Sequence, residues 1–151
     1  MKKRFIYIMF ALLLLSYNSI NAYEFHDEID DIEYLLNKRI EIMNGFLYGS
    51  KDMDSLEDKL DDIETEKLLE NDLDILYKVI DNPTDYELAV SVEVDKIYSL
   101  EKTEDGIHIN ADLKWLISGY DGEFNMVRNY NIKYVEIDKQ MYLAALVILN
   151  D

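Results

Sequence analysis

Two histidines, no cysteine and 32 acidic residues against 15 basic ones bound the chemistry open to this chain. His108 lies in DGIHINADLKWLISGYDG, residues 105–122, which alternates between polar and apolar residues. On a strand, such alternation puts His108, Asn110, Asp112, Lys114 and Ser118 on one face. Ile107, Ile109, Ala111, Leu113, Trp115 and Ile117 fall on the other. A general base or a metal ligand needs a partner within hydrogen-bond reach. Asp112 shares the face of His108 but lies four positions away, about 13 Å along an extended chain. It cannot orient the ring, and a partner would have to come from a neighbouring strand. The expectation is that the polar row is the wet side of a sheet and the apolar row holds the core. His26 precedes the first helical pattern and has no companion that assigns it a role.

Metal and nucleophile chemistries have no clear signature. Glu101, Thr103, Asp105, Gly106 and Asp112 have spacings similar to a calcium loop. An EF-hand requires a bidentate glutamate at the last position and helices on both sides. Here Asp112 takes that position and the flanks read as strands, so a turn is expected. There is no His-Glu-x-x-His, no Gly-x-Ser-x-Gly and no phosphate-cradling glycine loop. Neither a metal nor a cofactor is expected. Trp115, Tyr130 and Tyr134, with His108, are the candidates for lining a ligand pocket; core packing is the competing reading for the aromatics. Glu57, Asp58, Asp61 and Asp62 recur at helical spacing and form either a solvated face or a docking surface for a basic partner.

The bulk charge points the same way. A formal net charge of −17 opposes binding to nucleic acid and to anionic membrane faces, both of which are held through Lys and Arg. Lys2, Lys3 and Arg4 followed by an apolar run from Phe5 to Tyr17 have the layout of a secretory leader. Cleavage is expected between Ala22 and Tyr23, leaving residues 23–151 as one exported domain without stable membrane insertion. Retention of the leader as an anchor is the alternative.

The elements that must position these residues change period midway. Ile29, Ile32, Leu36, Ile40, Met43 and Leu47 form one helical stripe over 27–47. Ser55 and Asp58 resemble a capping box for a short helix carried by Leu56, Leu60 and Ile63. Thr65 caps a third helix with Leu69, Leu73, Leu76 and Ile80, and Asn82-Pro83 ends it. After Pro83 the period becomes two. Leu88, Val90, Val92 and Val94 open a strand, and Asp105-Gly106 reads as a type I′ hairpin turn. Asp121-Gly122 turns the chain into a third strand, 124–137. Arg128, in register with Phe124 and Tyr130, suggests a bulge there. A turn near Asp138-Lys139 leads to a fourth strand, 141–149. It is apolar on both parities, as for a strand inside the sheet covered on both faces. The fold class is α+β, amphipathic helices packed on a curved four-stranded antiparallel meander.

This order of helices and strands, from about Asp27 to Leu149, resembles the nuclear transport factor 2-like superfamily, a cone-shaped α+β fold. The resemblance rests on element order and strand pattern, with no diagnostic motif. It implies either a small pocket enzyme or a non-catalytic module, including extracytoplasmic parts of bacterial secretion and conjugation assemblies. The expectation is an exported, non-catalytic binding or accessory module. The alternative is a small pocket enzyme, of isomerase, dehydratase or hydrolase type, using His108 or a buried carboxylate.

Overall fold

Three helices and four strands follow one another in the computed structural model, which describes residues 26–49, 51–81 and 87–149. The leader with its cleavage point at Ala22, the side chain of His26 and the Asn82-Pro83 stop lie outside the described residues. Helix α1 is His26–Tyr48, α2 Met53–Asp61 and α3 Glu66–Asp81. Strands β1 Leu88–Thr103, β2 Gly106–Gly119, β3 Gly122–Ile137 and β4 Gln140–Ile148 form one antiparallel sheet in the order β1-β2-β3-β4. The protein is α+β, with the helices N-terminal to a meander.

From Ile32 onward α1 belongs to the compact unit that holds the sheet. Its apolar residues serve two cores rather than one stripe. Ile32, Leu36 and Ile40 pack with the inner residues of the sheet, including Val92, Ile109, Leu113, Ile132 and Leu143. Leu35, Ile42 and Phe46 pack with Leu56, Leu60, Ile63, Leu69 and Leu76 of the helical layer. Met43 and Leu47, expected on the sheet-facing stripe, join this second cluster. Each fully buried leucine or isoleucine is worth about 1.5–3 kcal/mol of transfer free energy, so α1 ties the layers together along both sides. Helix α2 is capped by Asp52, whose side chain accepts from the Ser55 amide at 3.4 Å, and not by the expected Ser55 box. Asp52 stands immediately before the first helical residue, where a carboxylate can meet the free amides of the first turn.

In β2 the alternation is as expected: every second residue from Ile109 to Ile117 is buried. In β1 it is not. Three irregularities, between Ala89 and Ser91, Val94 and Lys96, and Ile97 and Ser99, re-aim the strand. Its inward residues are therefore Ala89, Val92, Val94, Ile97 and Leu100, and Val90 turns outward. The expected bulge near Arg128 is absent, because β2 and β3 pair in unbroken register from Ile107↔Tyr134 to Gly119↔Gly122. Arg128 keeps the parity of Tyr130 but is exposed. The turns also differ in detail. The loop residues are Glu104 and Asp105, and positive φ falls on Gly106, which already pairs with Thr103. A type I′ pattern, with both central residues at positive φ, is carried instead by Asp138 and Lys139.

Strand β4 corrects the largest expectation. It is an edge strand, not an interior one, because a meander adds each hairpin to the outside and its last strand has a neighbour on one side only. Both sheet edges are instead dressed from the helical layer. On β1, Asn37 donates to the Val92 carbonyl at 2.8 Å and accepts from its amide at 3.0 Å. Asn44 donates to the Ala89 carbonyl at 2.7 Å, and Glu33 accepts from the Val94 amide at 2.6 Å. On β4, Leu143 donates to the Ile63 carbonyl at 2.8 Å and accepts from the Thr65 amide at 2.9 Å. The Gln140 side chain adds a bond to the Asp62 carbonyl at 2.6 Å.

Candidate functional site

The outward face of the sheet carries two adjacent cross-strand rows of reachable polar groups. Register alone builds them. Glu101 pairs with His108, His108 with Lys133 and Lys133 with Ala145, while Ser99, Asn110, Asn131 and Val147 form the next row. With Thr103 these side chains line an open basin of about 600 Å³. Three strands supply hydrogen-bonding or charged groups, and β4 supplies an apolar margin, Ala145 and Val147.

At one end of the basin Asp105 is a hub. It accepts from Lys133 Nζ at 2.7 Å, from the Thr103 hydroxyl, and lies 3.2 Å from His108 Nε2. The Lys133 bond, with those of Thr103 and His108, holds its carboxyl well below the usual carboxylate range. The partner of His108 is thus neither Asp112 nor a residue of a neighbouring strand, but the turn residue three positions upstream. Asp112 works elsewhere: it accepts from Tyr98 at 2.6 Å and from Asn129 at 2.9 Å. Those bonds, the tyrosine's first, lower its carboxyl. Asn110 donates to Asn131 at 2.9 Å, which joins the row of asparagines across β2 and β3. On the same face, Lys114 bonds Glu93 at 2.6 Å.

Of the four pocket candidates, only His108 reaches this basin. Trp115, Tyr130 and Tyr134 lie in the sheet-side core, with Trp115 and Tyr130 rings 5.8 Å apart at 48°. Burial raises the Tyr130 hydroxyl. Inner-face parity puts all three in the cluster shared with Ile32, Leu36 and Ile40 of α1 and Leu68 of α3, where large aromatic rings contribute packing rather than contact with solvent.

A second cluster was not singled out by the sequence. Arg39 of α1 grips Asp72 of α3 through Nε to Oδ2 at 2.5 Å and Nη2 to Oδ1 at 2.7 Å. Its Nε also lies 3.0 Å from Oε1 of Glu64, in the link between α2 and α3. Glu64 and Asp72 are 1% and 2% exposed. Two carboxyls thus share one guanidinium out of water. Burial, reinforced by the Asp72 charge and opposed by Arg39, pushes the Glu64 carboxyl up to about 8. A signal for part of this was present: Asp72 falls on the stripe of Leu68, Leu69 and Leu76, where a charge needs a partner. Nothing local marks Glu64.

The acidic candidates Glu57, Asp58, Asp61 and Asp62 are exposed around α2 and its C-terminus, and none forms an ion pair among the described residues. No group of three or more His, Asp or Glu side chains suited to a metal ion occurs among the described residues. No helix there is long and apolar enough to cross a membrane. The chain matches no protein family, no curated protein and no solved structure.

Proposed function

We propose that this chain is an exported, non-catalytic binding module, an accessory part of a bacterial cell-envelope or secretion assembly, that takes a protein partner on the outward face of its sheet. The observation that carries this reading is a separation of roles. The reachable groups, Glu101, His108, Asn110, Asn131 and Lys133, lie in an open basin, whereas Glu64, the carboxyl that burial moves into the physiological range, is sealed under Arg39 and Asp72. An enzyme places such a group where substrate can meet it. The net charge of −17 and the exposed acidic face of α2 favour a basic partner, steered in by long-range attraction. Helices preceding a meander support the resemblance to the nuclear transport factor 2-like fold.

The test is capture of partners from the native envelope by wild-type protein, by Asn110→Lys with Asn131→Lys in the basin, and by Asp58→Lys with Asp61→Lys on α2. Loss of a captured protein with the basin variant, and weakening of its binding as salt rises, are expected. Capture unchanged by the basin variant overturns the reading. Intact-mass analysis of the exported protein should show a chain that begins near Tyr23.

The pocket-enzyme alternative has one observation in its favour: Asp105, held by Lys133 and Thr103, orients the His108 ring at the basin's end. That arrangement suits a general base. A turnover whose pH profile disappears in His108→Ala would establish it.

A further inference from the structure

The guarding of the sheet edges is uneven, and the uneven part has a definite chemistry. An exposed strand edge is a row of backbone donors and acceptors that templates another strand, and folds blunt it with bulges, charges or cover. Edge β1 has three irregularities and is bonded to Glu33, Asn37 and Asn44. Edge β4 is clipped at Leu143 by residues 63–65. Beyond the clip, residues 145–148 run in regular register along β3, with no partner on their other side among the described residues. The Leu149 amide turns inward to the Asn129 carbonyl at 3.0 Å. By alternation, Val147 and Ala145 also bond toward β3, and the backbone groups of Leu146 and Ile148 point out of the sheet.

The side chains of this segment are as distinctive as its backbone. Strand β4, QMYLAALVI, has no charged residue in its nine positions, whereas β1, β2 and β3 all carry charges of both signs. Val147, Ile148 and Leu149 are 53%, 41% and 42% exposed, the only run of three consecutive exposed large hydrophobics among the described residues. A basic partner drawn by the acidic surface finds no carboxylate on β4. A second copy finds the one edge where two chains of net charge −17 can meet without opposing like charges.

We propose that two copies of this chain associate through antiparallel pairing of their β4 edges, joining the two sheets into one. A two-fold axis normal to the sheet makes this contact self-complementary and closed. Leu146 and Ile148 of each copy meet on the inward face, and Ala145, Val147 and Leu149 on the outward one. Because Ala145 and Val147 also form the margin of the basin, the basins of the two copies run together across the joint. The pairing does not depend on what the basin binds.

Few residues pair, so the interface is small and the dimer is expected to dissociate at about 1–100 μM. Sedimentation equilibrium of the exported protein, run from well below that range to about 500 μM, should show the mass rising from one chain to two. Two variants attack the contact without touching the core. Val147→Glu sets two negative charges against each other across the axis. Ile148→Pro removes an outward amide that no bond among the described residues uses, the position at which an edge strand tolerates proline. Each should weaken association at least about tenfold while leaving the far-ultraviolet circular dichroism unchanged. A single-chain mass throughout overturns the proposal, as does a dimer that a folded variant of either kind leaves intact. If one variant fails to fold, the other decides.

Discussion

Replacing Glu64 with glutamine should make the protein more stable at alkaline pH, with an effect that grows as pH rises. Glu64 is 1% exposed and shares Arg39 with Asp72. Its carboxyl is raised from an ordinary 4.5 to about 8, so between those values the folded chain holds a proton that the unfolded chain has released. Stability must then fall as pH rises through that window and level off above it, at about 1.4 kcal/mol per unit while the full proton difference lasts. Over the whole shift the ceiling is about 5 kcal/mol. Between pH 5.5 and 7.5 the expected loss is ~2–3 kcal/mol. Glutamine keeps the shape of the protonated acid and cannot ionise. The variant should therefore lie close to wild type near pH 5 and exceed it by ~2–4 kcal/mol at pH 8.5. Urea melts of both proteins at half-unit pH steps give the difference curve, in which other titrating groups cancel. Parallel curves across pH 5.5–8.5 would refute the reasoning, because they would mean that Glu64 takes up no extra proton on folding.

Arg39→Leu should cost about 3–5 kcal/mol, since it leaves two buried carboxyls without their cation, and denaturant melts at pH 7 measure it. Trp115→Ala should cost ~3–5 kcal/mol by the same assay, as for other buried aromatics, while His108→Ala, at a half-exposed position, should stay within about 0.5 kcal/mol. Asn37→Ala should cost about 1–3 kcal/mol, because both Val92 backbone groups lose their partner. Hydrogen exchange at the Val92 amide should accelerate with it. Gly106→Ala should destabilise by ~1–3 kcal/mol: φ is +131° there, and an added Cβ would lie 2.6 Å from the Tyr134 carbonyl oxygen.

Residues 107–117 were legible because their pattern is local. A strand's period of two and the solvation of one sheet face dictate the burial of Ile109, Leu113 and Trp115 wherever the strand ends up. The helices, the switch to strands and the meander follow from the same short-range periods. Basin residues other than His108 were not legible as a group: Glu101, Asn131 and Lys133 lie far apart in the chain, and only the register of three strands brings them beside it. In β1 the irregularity between Ala89 and Ser91 leaves Val90 as the extra residue, so that Ala89 and Val92 face inward and Val90 outward, because one inserted residue reverses the parity across it. The second apolar face of α1 emerged only once α2 and α3 supplied something to pack on it.

The sequence by itself determined the class of fold, the wet and dry faces of β2, and a chemistry without thiols and with a large excess of carboxylates, since these depend on composition and on neighbours a few residues apart. Tertiary structure alone decided that Glu64 shares Arg39 with Asp72, that Lys133 of β3 holds Asp105 beside His108, and that an apolar β4 lies at an edge. Each of these is a relation between segments. A carboxyl's charge, a ring's orientation and a strand's exposure are set by what the fold brings within a few ångströms, and local period carries no record of that.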